Sequence, residues 1–545
     1  MSTKFDSVIM IFLLIVSLAG ISTQGFHPIR EHFVIVNDCV QQQPSSQDEE
    51  SIYIGQNSEF PLYSTSGNGT SANPYIIENL YLQDGNYITI SMTSAYFVIR
   101  NCTIEGTGIA YWGYGSGFLY PVNGYGIRLS NVTNGYIQHC VIRSFSRAVL
   151  LDGSRYCTIE DSEFQEMGYG IDVAYSQFCD VTNTRIGDCM KGMTVLNSMM
   201  ISAISNQFGV CSETGIHVGF SRDCHFIDNE LENGSFTFED DNEGYFENQI
   251  LGNTNGGREI AYFFSYKDLE IQDGIYGQLI IAECSNLTLQ VGEVWNGNLG
   301  ISILNSNTCW IEGFQVKLCD MGIKIQQSEN ITLKECKVDA VEDGAYVRSS
   351  CGVSFINCEI QIGTQSFFSD GITVFDTPYF ICERSSVSVN LELLSNSMSS
   401  DAESNRDFII AKDDINQDYD PLFSPAPDYN KGIAVYSSNH SKIINNVISN
   451  FRTGISMSHC SHGFAVLNTI LGTTHVGIQL SYCYNIYESK NIIIPLSGIV
   501  VIKEGVILPW LIVILFGGIS IPLAFFSIIW MKESTRISKR SRREW

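Results

Sequence analysis

Gly126-Ile127-Arg128-Leu129 returns as Ala148-Val149-Leu150-Leu151, Gly170-Ile171-Asp172-Val173, Gly192-Met193-Thr194-Val195 and Gly215-Ile216-His217-Val218, spaced 22, 22, 22 and 23 residues apart. The phrase resumes at Gly300-Ile301-Ser302-Ile303, Gly322-Ile323-Lys324-Ile325 and Gly344-Ala345-Tyr346-Val347, and later copies start at Gly371, Gly432, Gly454 and Gly477. A Ser/Asn turn and a second apolar piece follow, as in Tyr156-Cys157-Thr158-Ile159 or Asn330-Ile331-Thr332-Leu333. A third piece ends in Cys-x-Ile or Cys-x-Val, as in Asn357-Cys358-Glu359-Ile360. Three strands of about three to five residues, alternating in and out, therefore make one turn of about 22 residues. A single turn cannot bury its apolar face, so neighbours stack at roughly 4.8 Å and share a continuous core. Gly and Asn are expected where a bend needs positive φ or a close backbone approach.

No window carries 3.6-residue periodicity over a helix length, which excludes helical solenoids. Propeller blades would need about 40 residues or more. The expected fold is all-β: a right-handed parallel β-helix of about fifteen 22-residue coils, the hand being that of parallel crossovers, followed by one C-terminal transmembrane helix.

The repeat also explains the length. A chain of 545 residues exceeds the roughly 250–300 residues at which single cores stop growing, a limit that stacked repeats escape. Apolar content of 44% against 16% charged residues excludes a disordered chain. A net charge of −27 argues against a nucleic-acid partner, which needs a basic face. The repeat falters at residues 252–276. It is then interrupted between Gly371 and Gly432, where an insertion of about residues 389–430 is rich in Ser, Asn, Asp and Pro. Long loops on rigid scaffolds often carry function.

The two ends read as addresses. Lys4, the apolar run Val8 to Leu18 and the small residues Ser17 and Ala19 are expected to form a signal peptide over residues 1–24. Val506 to Met531 holds no charge, with Trp510 and Trp530 near its ends, and is long enough to span a bilayer. Lys532, Arg536, Lys539, Arg540, Arg542 and Arg543 follow, a basic flank that belongs on the cytoplasmic side. The expected order is signal 1–24, N-terminal cap region 25–64, β-helix 65–488, membrane-proximal segment 489–505, span 506–531 and cytoplasmic tail 532–545. The tail is net basic, so the exterior is more acidic than the total.

Gly67-Asn68-Gly69-Thr70, then Asn73-Pro74-Tyr75-Ile76-Ile77-Glu78-Asn79-Leu80, and the segment from Arg258 to Leu289 resemble right-handed β-helix proteins of the NosD type. These sit within the carbohydrate-binding and sugar-hydrolase (pectin lyase-like) superfamily, which has membrane-anchored archaeal members. The resemblance covers about Thr65 to Glu488. It implies the fold; for function it implies only a range, because this fold hosts lyases, hydrolases, adhesins and accessory proteins. The expectation is a membrane-anchored cell-surface module, non-catalytic, binding extracellular glycans or surface proteins, and not nucleic acid. The alternatives are a polysaccharide lyase or glycoside hydrolase, and a NosD-like copper-handling accessory protein.

No catalytic residue is assigned. The chain lacks an Asp-Asp pair beside Gly-His-Gly and lacks Arg-x-Pro-x-x-Arg, and inverting hydrolysis needs two carboxylates spaced for a water. The exposed column Arg128, Leu150, Asp172, Thr194 and His217 reads as a solvated face. Asp172 and His217 lie two coils, about 9–10 Å, apart.

Seventeen cysteines in an exported chain would suggest disulfides. Yet Cys157/Cys179, Cys189/Cys211 and Cys336/Cys358 are each 22 apart, which favours a buried thiol ladder whose parallel side chains suit bridging poorly. Asp414, Asn416, Asp418 and Asp420 alternate like calcium-loop ligands, although Tyr419 stands where a loop Gly belongs and Pro425 where a bidentate Glu belongs. Calcium is thus a candidate cofactor. Met457, His459, Cys460 and His462 gather soft and imidazole ligands for copper, but alternation sends His459 and Cys460 to opposite faces. Sequons at Asn68, Asn101, Asn131, Asn233, Asn286, Asn330 and Asn439 are glycan acceptors on an exported protein; Asn286 and Asn330 also fill the turn slot of the repeat.

Overall fold

The computed structural model describes residues 50–107, 109–111, 119–121, 124–239, 246–363, 369–389, 430–495 and 499–504. The expected signal peptide, membrane span and basic tail lie outside the described residues, as do Asp414, Asn416, Asp418 and Asp420. Among the described residues no helix is long and apolar enough to cross a membrane.

What is described is an all-β parallel solenoid of about sixteen turns, with a single 3₁₀ turn at Asn57–Leu62. The quoted phrase forms one stack of strands. Tyr125–Ser130 pairs in parallel with Arg147–Asp152, which pairs with the end of Glu163–Ala174 and so on through Arg185–Leu196 and Gln207–Gly219. A second stack runs Gly135–Gln138, Thr158–Glu160, Asp180–Thr182, Ser202–Ile204 and His225–Ile227. The third piece does not stay short, as the spacing suggested. Pairing continues around the corner into the next phrase, giving strands of 12 residues at Glu163–Ala174 and 20 at Ser285–Leu304.

Two devices hold adjacent turns together. Ile, Val, Leu and Phe fill the interior; Ile137, Ile159, Val181, Ala203 and Phe226 occupy one inward row. Each fully buried large side chain contributes roughly 1.5–3 kcal/mol. Beside it run buried polar ladders. Ser154, Ser176 and Ser198 offer their backbone N–H groups to the hydroxyls of Ser176, Ser198 and Ser221, one turn on. Asn206, Asn229 and Asn253 repeat the pattern with amide oxygens, as do Asn446, Asn468 and Asn491. These side chains satisfy corner amides that the sheet ladder leaves over.

The glycines of the phrase settle which reason applies to them. Gly344 has no positive φ; a Cβ there would stand 2.4 Å from the Gly371 carbonyl oxygen. Close approach selects these glycines. Positive φ falls on other residues, most often Asn, Asp and Ser, including Asn131, Asp161, Ser205 and Asn330.

The core is not continuous. At 252–277 the strand Thr254–Asn255 pairs antiparallel with Arg258–Phe264, which then pairs in parallel with Gln278–Ala282. Gln278–Ala282 is buried on both faces: Ile280 and Ala282 belong to the first core, Leu279 and Ile281 to the second. The second stretch begins by covering the open end of the first. The solenoid also outruns its expected bounds. Ile52–Ile54 already pairs with Ile88–Ser91 inside the region read as a cap, and Ile499–Glu504 still pairs with Val476–Ser481 inside the membrane-proximal segment.

Candidate functional site: a sheltered polar strip

The outward column has the register that the spacing implied: Thr89, Arg128, Leu150, Asp172, Thr194, His217 and Thr237 are successive partners. It is not the solvated face expected. Asp172 is 8% exposed and Thr194 2%. A hairpin of Ile109–Tyr111 and Leu119–Pro121 packs beside Glu163–Ala174, and a second outward row, Tyr125, Arg147, Tyr169 and Lys191, leans over the column.

Burial dictates the bonding. Asp172 would be costly here without partners. Arg147 Nε donates to its Oδ2 at 2.7 Å and Thr194 Oγ1 to its Oδ1 at 2.6 Å. The Arg147 guanidinium lies 4.8 Å over the Tyr169 ring, with Lys191 Nζ 5.8 Å from the same ring. Arg128 stands 5.2 Å over Tyr125 and 3.5 Å from the Asp152 carboxylate. Its buried Nε has no partner among the described residues. Further along, His217 Nδ1 meets Thr237 Oγ1 at 2.9 Å, with Nε2 3.9 Å from Glu239. Asp172 and His217 remain two turns apart. The strip thus holds paired cations and carboxylates, ring faces and hydroxyls, a set suited to a ligand rich in hydroxyl oxygens.

A second group lies on the far stretch. Burial pushes Asp320 up to about 6, with Glu342's charge adding and a hydrogen bond from Asn298 opposing. Burial pushes Asp343 up to about 7, an N–H bond from Asp370 opposing and the charges of Asp370 and Glu342 adding. Asp343 Oδ1 accepts the Asp370 N–H at 2.8 Å, and Asp370 Oδ1 accepts the Lys431 N–H at 2.7 Å. The geometry of these aspartates matches another corner ladder. Elsewhere, Trp295 packs under Arg258 and Lys317, and its indole N–H, followed by Lys317, holds Glu293 below the usual carboxylate range.

The proposed copper ligands are not brought together. Met457 and Cys460 point into the core, with Cys460 Sγ against the Val435 carbonyl, while His459 and His462 sit outside at positive-φ corners. They do not fit a copper site, and no metal-binding cluster exists among the described residues. The sixteen described cysteines carry no disulfide, and all but Cys351 are buried; the Cys189 and Cys211 sulfurs lie 3.1 Å apart. Of the sequon asparagines, Asn68, Asn101, Asn131, Asn286, Asn330 and Asn439 are exposed and Asn233 is half-buried. Asn101, Asn131, Asn286 and Asn330 have positive φ, so the turn slot alone accounts for them. The sequence reading missed Tyr125, Arg147, Tyr169 and Lys191; their signal was a polar or aromatic residue in each slot before the phrase's small residue.

Residues 119–231, which carry much of this strip, match the family model described as "Right handed beta helix region". The solenoid is a right-handed β-helix. No curated protein matches the chain. The β-helix is similar to the mannuronan C-5 epimerase AlgE6 A-module of Azotobacter vinelandii at 12% identity, covering 85% of this chain and 97% of that one, with a TM-score of 0.24. It is similar to an exopolygalacturonase from Thermotoga maritima at 8% identity (63% and 90% covered, TM-score 0.25). PfbA, a surface adhesin of Streptococcus pneumoniae, shares 12% identity (58% and 82% covered, TM-score 0.24).

Proposed function

We propose that this β-helix is displayed at a cell surface, held by the apolar segment 506–531, and binds glycan chains along the sheltered strip without turning them over. The observation that supports the reading is the buried Arg128 Nε, which has no partner among the described residues, beside the Tyr125 ring, one turn from Arg147 and two from Asp172. An unmet buried donor costs roughly 1–3 kcal/mol, which a sugar oxygen would offset once the Arg128 side chain turns to present its Nε to the strip. Turns stack at about 4.8 Å, on the scale of one sugar unit, so successive rows of the strip would meet successive units of a chain.

The test is a glycan array on the full chain, run beside a reducing-sugar assay on acidic polysaccharides with and without calcium. Binding without turnover, lost in Arg128→Ala, is the expected result. Turnover would favour the second reading, hydrolysis or lyase chemistry, for which the specific support is that Asp320 and Asp343 hold protons to about 6 and about 7, as a general acid must. Turnover abolished in Asp414→Ala and Asp418→Ala would instead assign the chemistry to the acidic insertion and its proposed calcium.

A further inference from the structure

The last turns of the β-helix bring large apolar and aromatic side chains to several outward rows at once. In the second strand stack the outward row runs Ser354, Ile381, Lys442, Phe464 and Tyr487. In the third stack two rows run Glu359, Ser386, Val447, Thr469, Ile492 and Gln361, Ser388, Ser449, Leu471, Ile494. Each row ends on a large apolar or aromatic side chain. Ile492 is 58% and Ile494 59% exposed. The corner between phrase and second strand adds exposed Tyr482 and Tyr484. Large apolar and aromatic side chains thus lie on several sides of the terminal turns, a belt rather than a patch.

Where the chain goes next identifies what covers the belt. Strand Ile499–Glu504 is paired into the final turn, and the uncharged segment begins at Val506. Two residues reach at most about 7 Å, and the last two turns occupy about 10 Å. The polar layer on each side of a hydrocarbon core is of order 5–8 Å thick. If 506–531 spans a bilayer, the last turn has nowhere to be except at headgroup level, where Tyr rings with one wet and one apolar edge are favoured.

We infer that the terminal turns, through Phe464, Tyr482, Tyr484, Tyr487, Ile492 and Ile494, dock into the headgroup region of the bilayer and fix the β-helix to the membrane surface rather than leaving it on a free stalk. The inference rests on the membrane-anchored reading above. The test uses the full chain reconstituted into phosphatidylcholine vesicles. Alkaline extraction reports the anchor, and hydroxyl-radical footprinting reports the belt, with the exposed Tyr156 and Tyr175 of the distant turns as internal controls.

The expected result is a chain that resists extraction, in which Tyr482, Tyr484 and Tyr487 are modified several-fold less than Tyr156 and Tyr175. In a Tyr487→Glu/Ile492→Glu/Ile494→Glu variant, Tyr482 and Tyr484 should regain the control rate while extraction resistance is kept. Resistance to extraction with equal modification at all five tyrosines overturns the docking and leaves the anchor standing. Release by alkali removes both. Protection that appears without lipid and grows with protein concentration overturns it in favour of a second copy of the chain.

Discussion

The two stretches of β-helix on either side of residues 252–277 share one grammar and differ in what they place on the same outward column. The first sets Arg128, Asp172, Thr194 and His217 there, beside a row of Tyr, Arg and Lys. The second sets Ser302, Lys324, Tyr346, Thr373, Ala434, Ser456 and Gln479 there. Inward residues, corner ladders and close-packed glycines are alike in both. The repeat therefore constrains everything that faces the core or the next turn. It leaves the outward slots free, and that is where the two stretches specialise.

The largest effect should test the shared part. Gly170→Val would bring a Cβ within 2.5 Å of the Gly192 carbonyl oxygen, and Gly344→Val within 2.4 Å of that of Gly371. Each should destabilise the protein by about 3 kcal/mol, measured by urea unfolding; a loss confined to one stretch would break the claim of a common grammar. The ladders come next. Asn206→Leu strands the Thr184 N–H, and Asn468→Leu strands the Asn446 N–H, so each should cost about 2 kcal/mol.

Binding should separate the stretches. Tyr169→Ala should weaken glycan affinity about tenfold, a change of about 1.4 kcal/mol, with Tm unchanged, whereas Tyr346→Ala should leave affinity alone. A pH slope confined to the second stretch completes the comparison. Burial raises the folded Asp343 to about 7 from an unfolded value near 4. The folded state then binds more protons between these values, so its stability falls as pH rises from about 4 through about 7. Asp343→Asn keeps the acceptor for the Asp370 N–H and should flatten that slope in urea midpoints measured across this range.

Much of this fold was legible because a parallel solenoid writes its register directly into sequence spacing. The step from Asp172 to Thr194 to His217 could be counted without coordinates. The junction was visible only as a lapse: nothing in Gln278–Ala282 says that its two faces serve different cores, because a strand buried on both sides has no alternation to read. The sheltering of Asp172 was hidden for another reason. Spacing reports what lies one turn away, not that a hairpin inserted before Gly126 comes to rest beside Glu163–Ala174. Arg147 and Tyr169 were overlooked because the long strands bend around a corner there, and simple in–out alternation fails at a bend. At Met457–His462 alternation was right only in part: it separates His459 from Cys460 but would put Met457 with His459 and Cys460 with His462, whereas the positive-φ corners at His459 and His462 turn both histidines outward and leave Met457 and Cys460 in the core.

The central claim is that ligand binding belongs to the first stretch. Hydrogen–deuterium exchange of the full chain, with and without an oligosaccharide selected from the array, tests it most directly. Slowed exchange within 125–130, 147–152, 169–174 and 191–196, with 300–304, 322–326 and 344–348 unchanged, is the predicted result. Protection centred on residues 320–348, or oligosaccharide consumed during the measurement, would contradict it.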